Sequence, residues 1–192
     1  MEQPDLVDAR TEIHDRLLSY TRGIDRLDTD LVLSAFHPGA QLCDYGPDPL
    51  SVEDFASYAI PSLRERFVAT QHRVSNIRIE IDGGLAVLEA YVLAYHVQES
   101  DDGRILHTFN GRYIDECSFR EGEWKIHKRT LRKDWTKVEK IDEEMTGTWP
   151  SSARDQTDPI YTAGWLATAP SISIGNWRSD SFARTLDSGG PA

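Results

Sequence analysis

The stretch "HRVSNIRIEIDGGLAVLEAYVLAYHVQE", residues 72–99, decides the fold. Polar and apolar side chains alternate along much of the first half, small and larger ones along 90–95 of the second, and Gly83 and Gly84 sit between the halves. Successive strand side chains point to opposite faces, so this alternation around a Gly-Gly predicts two strands joined by a hairpin turn. The pattern continues downstream. "SDDG" at 100–103 turns the chain, and "RILHTFNGRYIDECSF" at 104–119 is a third strand. "REGE" at 120–123 turns it again, and "WKIHKRTLRKDW" at 124–135 is a fourth. Long strands joined by tight turns predict an antiparallel meander.

The two faces of the second strand differ. One carries Leu88, Ala90, Val92, Ala94 and His96; the other carries Glu89, Tyr91, Leu93, Tyr95 and Val97. The first face is small and apolar. Small side chains leave room for a ligand cavity under covering helices, or else simply allow close helix–sheet packing. His96 at the end of that face needs a polar partner if it is buried. The second face is large and partly aromatic, which suits a subunit interface.

Upstream of the meander the period is helical. Ile13, Leu17, Thr21 and Ile24 share one stripe of a helix over residues 6–26, with Gly23 lowering propensity near its end. Asp28 or Thr29 can cap a second helix through "DLVLSAF", which "HPGA" at 37–40 then stops. "QLCDYG" at 41–46 reads as a short strand. Ser51 with Asp54 resembles a capping box for a third helix reaching Phe67, with Pro61 expected to kink or split it. There is no βαβ alternation and no glycine-rich phosphate loop. Helices followed by a meander imply an α+β fold, with helices packed on one face of a curved antiparallel sheet.

The 192 residues suit one domain with a tail. The domain is expected over residues 1–142. Residues 143–192 are rich in Ser, Thr, Pro and Gly but carry Trp149, Tyr161, Trp165 and Trp177. They are read as an extended, partly ordered arm that packs on its own domain or on a neighbouring subunit, with a mobile end at "LDSGGPA". A net charge of −11 argues against a nucleic-acid partner. No run approaches a membrane span, and "MEQPDLVDAR" does not read as an export signal, so a cytoplasmic location is expected. Cys43 and Cys117 are then free thiols rather than a disulfide.

Asp25 is the unusual residue of the first helix. It lies about 80° from Leu17 around the helix axis, at the edge of the buried stripe. It can be a cap, a solvated edge residue or a base in a pocket. His72 is ordinary by itself. If it meets Asp25, the carboxylate holds one ring nitrogen and frees the other to take a proton. The histidines form neither HxH nor HExxH, and no GxSxG supports a serine hydrolase.

The order helix, helix, strand, helix, meander resembles the SnoaL-like group of the nuclear-transport-factor-2-like superfamily over residues 6–140. Its carriers are "YTRGIDRLDTDLVLSAFHPGA", "ATQHRVSNIRIEIDG", "AVLEAYVLAYH", "GRYIDECSFREGEWKIHKRTLRKDW" and "RDQTDPIY". The resemblance implies a conical α+β barrel around a deep apolar pocket, and no cofactor or metal. It places an Asp/His dyad on Asp25 and His72. It places substrate-binding groups on Tyr20, His96 and Arg129 and, by strand parity, on His107, Phe109 and Tyr113. The implied activity is a lyase or isomerase reaction on a hydrophobic cyclic or aromatic molecule: loss of water or another small leaving group, a double-bond shift, or retro-aldol loss of an aldehyde. The implied state is a homodimer or homotrimer. Rival readings are a non-catalytic ligand-binding domain or dioxygenase β-subunit-like assembly domain, and a polyketide cyclase.

Overall fold

The computed structural model describes residues 5–141 and 150–162. Helix α1 spans Leu6–Arg26, α2 Thr29–Ser34 and α3 Val52–Arg66. Strands β1 Phe36–Cys43 and β2 Leu50–Ser51 precede the meander β3 Ala69–Asp82, β4 Leu85–Ser100, β5 Gly103–Arg120 and β6 Glu123–Ile141. The sheet order is β2-β1-β6-β5-β4-β3. The sheet is curved and unclosed, and α1 and α3 pack against it. This is the α+β cone anticipated above, with one correction. The sheet is mixed, because β1 runs parallel to β6.

The same strand corrects a boundary. The helix expected to run through Phe36 ends at Ser34, and β1 already begins at Phe36. Pro38 and Gly39 look like stop signals in sequence. Here they lie where the β1–β6 register shifts, between Phe36 and Gln41, and Gly39 takes φ +72° in open space. A bulge tolerates both residues because it needs neither a ladder N–H nor a Cβ. Pro61 does not split α3. It deprives the Ser57 carbonyl of its helical donor, but both residues face solvent, so water can serve instead.

Asp28 caps α2 by accepting from Leu31 N–H, and Ser51 caps α3 by accepting from Asp54 N–H. The inward stripe of α1 is buried at Ile13, Leu17, Tyr20, Thr21 and Ile24. It shares one core with the small face of β4, where Leu88, Ala90, Val92 and Ala94 are at most 3% exposed. Gly23 does not loosen the helix, which continues to Arg26. A Cβ at Gly23 would lie 2.7 Å from both the Val32 side chain and the Val32 backbone nitrogen. The glycine lets α2 cross α1 closely. Gly23→Ala gains about 1 kcal/mol of helix propensity but forces an overpacking cost of about 1–3 kcal/mol against backbone that cannot rotate away. A lowered melting temperature is expected; a rise would contradict the packing reading.

Of the C-terminal residues, 150–162 fasten to the domain around the end of α3 and the start of β3. Arg154 donates to the Leu63 carbonyl, which also accepts from the Phe67 backbone N–H, to the Phe67 carbonyl and to Thr70 Oγ1. Arg26 pairs with Asp158 at 3.2 Å, and Tyr161 donates to Asp28 Oδ2 at 3.0 Å. Trp149, Trp165, Trp177 and the expected mobile end lie outside the described residues. Cys43 and Cys117 are free, Cys117 buried. No helix among the described residues is long and apolar enough to cross a membrane.

Candidate active site

Asp25 and His72 meet. Asp25, on the last turn of α1, accepts two hydrogen bonds from one residue of β3. His72 Nδ1 lies 2.7 Å from Oδ1, and the His72 backbone N–H donates to Oδ2 at 2.8 Å. The two side chains are 13% and 8% exposed, so the pair is largely withdrawn from water. Burial pushes the Asp25 carboxyl up, but the hydrogen bonds and charge of His72, with Thr70, outweigh it and hold Asp25 below its ordinary value. An ionised carboxylate has no proton to give, so Nδ1 of the neutral ring must carry the hydrogen. Nε2 is then the unprotonated nitrogen.

His72 borders a cavity of about 280 Å³ between the helices and the sheet. Tyr20 and Ile24 line it from α1, and Ala94, His96, Phe109, Tyr113 and Leu131 from β4–β6. Residues of α3 close the other side, with Phe55 and Leu63 inside and Tyr58, Ser62 and Arg66 also on the lining. The wall is mostly apolar. Its polar groups gather in two places, as in small-molecule sites generally.

The first group is histidine. His96 stands edge-on to His72, with ring centroids 5.3 Å apart, and Phe67 packs on it at 4.9 Å. Burial, followed by the neighbouring His72, pushes His96 down to about 4. His96 is therefore an uncharged ring at neutral pH. Among the described residues neither of its nitrogens has a hydrogen-bond partner. The second group is phenolic. Tyr20 and Tyr45 hydroxyls are 3.4 Å apart, and Tyr113 meets Tyr20 edge-to-face at 5.7 Å. Burial raises Tyr45 and Tyr113 well above the ordinary phenol value, so both keep their protons.

Two residues named from the sequence do not line this cavity. His107 pairs with Gln98 at 3.0 Å and touches Phe67. Arg129 is fully buried and bonds Asp115 through two contacts of 2.6 Å. Its guanidinium lies 4.1 Å from the Tyr20 and Tyr113 ring centres, behind the wall these rings present. Sequence reasoning missed Phe55, Leu63, Phe67 and Leu131. The period of α3 marks an apolar face, but nothing in it says what that face covers. On its other side the dyad borders a larger groove of about 1060 Å³, edged among others by Val97, Leu106 and Arg154. Among the described residues no three His, Cys, Asp or Glu side chains group as a metal set would.

The buried His96 has a consequence for stability. Its folded value lies below the ordinary 6.5, so the unfolded chain binds the extra proton between pH 6.5 and about 4. Stability is expected to fall through that window on acidification. His96→Gln should flatten the fall in melts taken across it, and an unchanged slope would contradict the burial argument.

None of the curated proteins matches the chain in sequence. Solved structures do. A protein of Kribbella flavida is 22% identical, with a TM-score of 0.62 over 69% of this chain and 95% of that one. A candidate scytalone dehydratase of Novosphingobium aromaticivorans is 20% identical, with 0.59 over 71% and 95%. A hexachlorocyclohexane dehydrochlorinase of Novosphingobium barchaimii is 17% identical, with 0.61 over 74% and 97%. At these identities the likeness concerns the fold. The family model described as a SnoaL-like domain matches residues 5–130, well over half of the sequence, and the chain belongs to that family.

Proposed function

We propose that the protein is a cofactor-independent lyase or isomerase acting on a hydrophobic, cyclic or aromatic small molecule. The observation that carries this reading is the ionised Asp25 bonded to His72 Nδ1 at the wall of an apolar cavity. Nε2 takes a proton from a substrate carbon, and Asp25 stabilises the imidazolium that forms. The hydroxyls of the Tyr20–Tyr45–Tyr113 group donate hydrogen bonds to the oxygen on which negative charge collects. His96, uncharged and unpartnered, is placed to hydrogen-bond a departing hydroxyl or halide. Arg129 acts through Tyr20 and Tyr113, which it backs. Loss of water, loss of another small group and a double-bond shift all begin with the same proton abstraction; retro-aldol cleavage uses the same base on a hydroxyl. The chemistry belongs in the smaller cavity rather than the larger groove, because its wall is mostly apolar and aromatic and brings the tyrosine hydroxyls and His96 to the same space as His72. The outer sheet face, with Tyr91 and Trp135 exposed, is the surface for a homo-oligomer.

The test is a panel of cyclic β-hydroxy ketones and cyclic alkyl chlorides, followed by mass spectrometry for loss of water or hydrogen chloride. Product formed by the wild type and not by His72→Ala is expected. Equal product from both would sink the proposal.

A further inference from the structure

The cavity lining holds one permanent charge. Among its residues there is no Asp, Glu or Lys, and Arg66 is the only arginine. The other groups that could offer a positive charge are answered or silenced: Arg129 is neutralised by Asp115 behind the wall, His72 is paired with the Asp25 carboxylate, and His96 is uncharged. Arg66 itself has no carboxylate partner among the described residues. Its guanidinium lies 5.1 Å over the Phe67 ring, and Phe67 in turn packs on His96. Cation–π stacking therefore holds the charge at the cavity mouth instead of letting it swing into solvent. Tyr58 and Ser62 precede Arg66 at steps of four residues, so two hydroxyls and a guanidinium share one stripe of α3. None of the three side chains spends its donors on another part of the described residues. This is a cationic edge without a carboxylate partner among the described residues, on a protein whose net charge is −11.

We propose that the cavity takes single-ring carboxylates, with the ring inside against the apolar wall and the carboxylate held at the mouth by Arg66, assisted by Ser62 and Tyr58. The proposal rests on reading this cavity as the substrate site. Planar guanidinium binds carboxylate in a paired geometry, and the charge sits where water still solvates the rest of the anion. The opposite orientation would bring a carboxylate towards the ionised Asp25. A single positive pole at the mouth thus fixes which end of the substrate meets His72, which makes Arg66 a specificity-determining residue. The cavity volume of about 280 Å³ has room for a single-ring acid.

The experiment is calorimetric titration of the full chain with phenylacetate and with phenylacetamide, which match in shape and differ in charge. Phenylacetate is expected to bind about five- to tenfold more tightly than the amide at low salt, and the difference should shrink as salt rises. Arg66→Gln should bring the two to within about twofold, and Arg66→Lys should keep part of the difference because it keeps the charge. His72→Ala should retain the preference, so loss of turnover and loss of acid selection are read separately. Equal binding of the two ligands by the wild type, failure of phenylacetate to bind, or a preference that survives Arg66→Gln would each overturn the proposal.

Discussion

Asp25→Asn is expected to lower kcat/KM by about 10³- to 10⁴-fold while leaving the fold intact. The reason is a forced change of tautomer. In the wild type both Asp25 oxygens accept, one from the His72 backbone N–H and one from Nδ1. The backbone N–H is a fixed donor, so the single oxygen of the substituted side chain must face it. The amide NH₂ then faces Nδ1, which can only accept. The ring proton moves to Nε2, and the nitrogen at the cavity is no longer a base. His72→Ala removes the base outright and should cost at least as much. The double variant should be no worse than His72→Ala alone, because Asp25 acts through that ring. Additive losses would show that Asp25 works independently, and near-wild-type rates in either single variant would remove the dyad from the mechanism.

The second large effect concerns stability. Asp115 and Arg129 are both fully buried and answer each other through two hydrogen bonds. Desolvation opposes a buried guanidinium, but the Asp115 charge and hydrogen bonds more than offset it and raise Arg129 well above its ordinary value. Removing one partner leaves the other charge uncompensated. Asp115→Ala or Arg129→Met is therefore expected to cost about 3–5 kcal/mol, against a pair whose joint replacement is much cheaper. For a chain of this size that is a fall of about 6–20 °C in melting temperature. Asp115→Leu combined with Arg129→Met should recover most of it. Single variants that melt like the wild type would mean the pair is not closed off from solvent. Because Arg129 backs Tyr20 and Tyr113, turnover in the rescued double variant also reports whether the arginine is needed for chemistry or only to hold that wall.

Much of this architecture is legible in the sequence because meanders are local. Alternation at 72–99 and the turns at 83, 100 and 120 leave little freedom in how β3 to β6 pair. The helix over 6–26 is equally local, since Ile13, Leu17, Thr21 and Ile24 share one stripe. The strand β1 is not legible in this way. It pairs in parallel with β6 across the length of the chain, and its Pro38 and Gly39 carry local turn signals that the tertiary pairing overrides. Gly23 shows the same limit. Its propensity suggests a weak point in α1, whereas its role is set by Val32 on another helix. The site divides along this line too. Helical phase puts Asp25 beside the core, yet the carboxylate oxygens' partners sit on β3 and are invisible to phase; only the family resemblance pointed to His72. Tyr45 and Phe67 lie at bends between elements, where no periodicity tells which way a ring faces. Arg66 escaped for the opposite reason: a charged residue on the last turn of a helix reads as a favourable dipole partner until the cavity beside it is seen.

Everything proposed for catalysis depends on His72 presenting a bare Nε2 to the cavity because Asp25 keeps the proton on Nδ1. Nitrogen-15 NMR of the His72 ring at about pH 8, where an ordinary imidazole is neutral, reads this directly and needs no substrate. The wild type is expected to show a protonated Nδ1 and an unprotonated Nε2, and Asp25→Asn the reverse. A wild-type ring protonated on Nε2, or a tautomer that ignores the Asp25→Asn substitution, would contradict it.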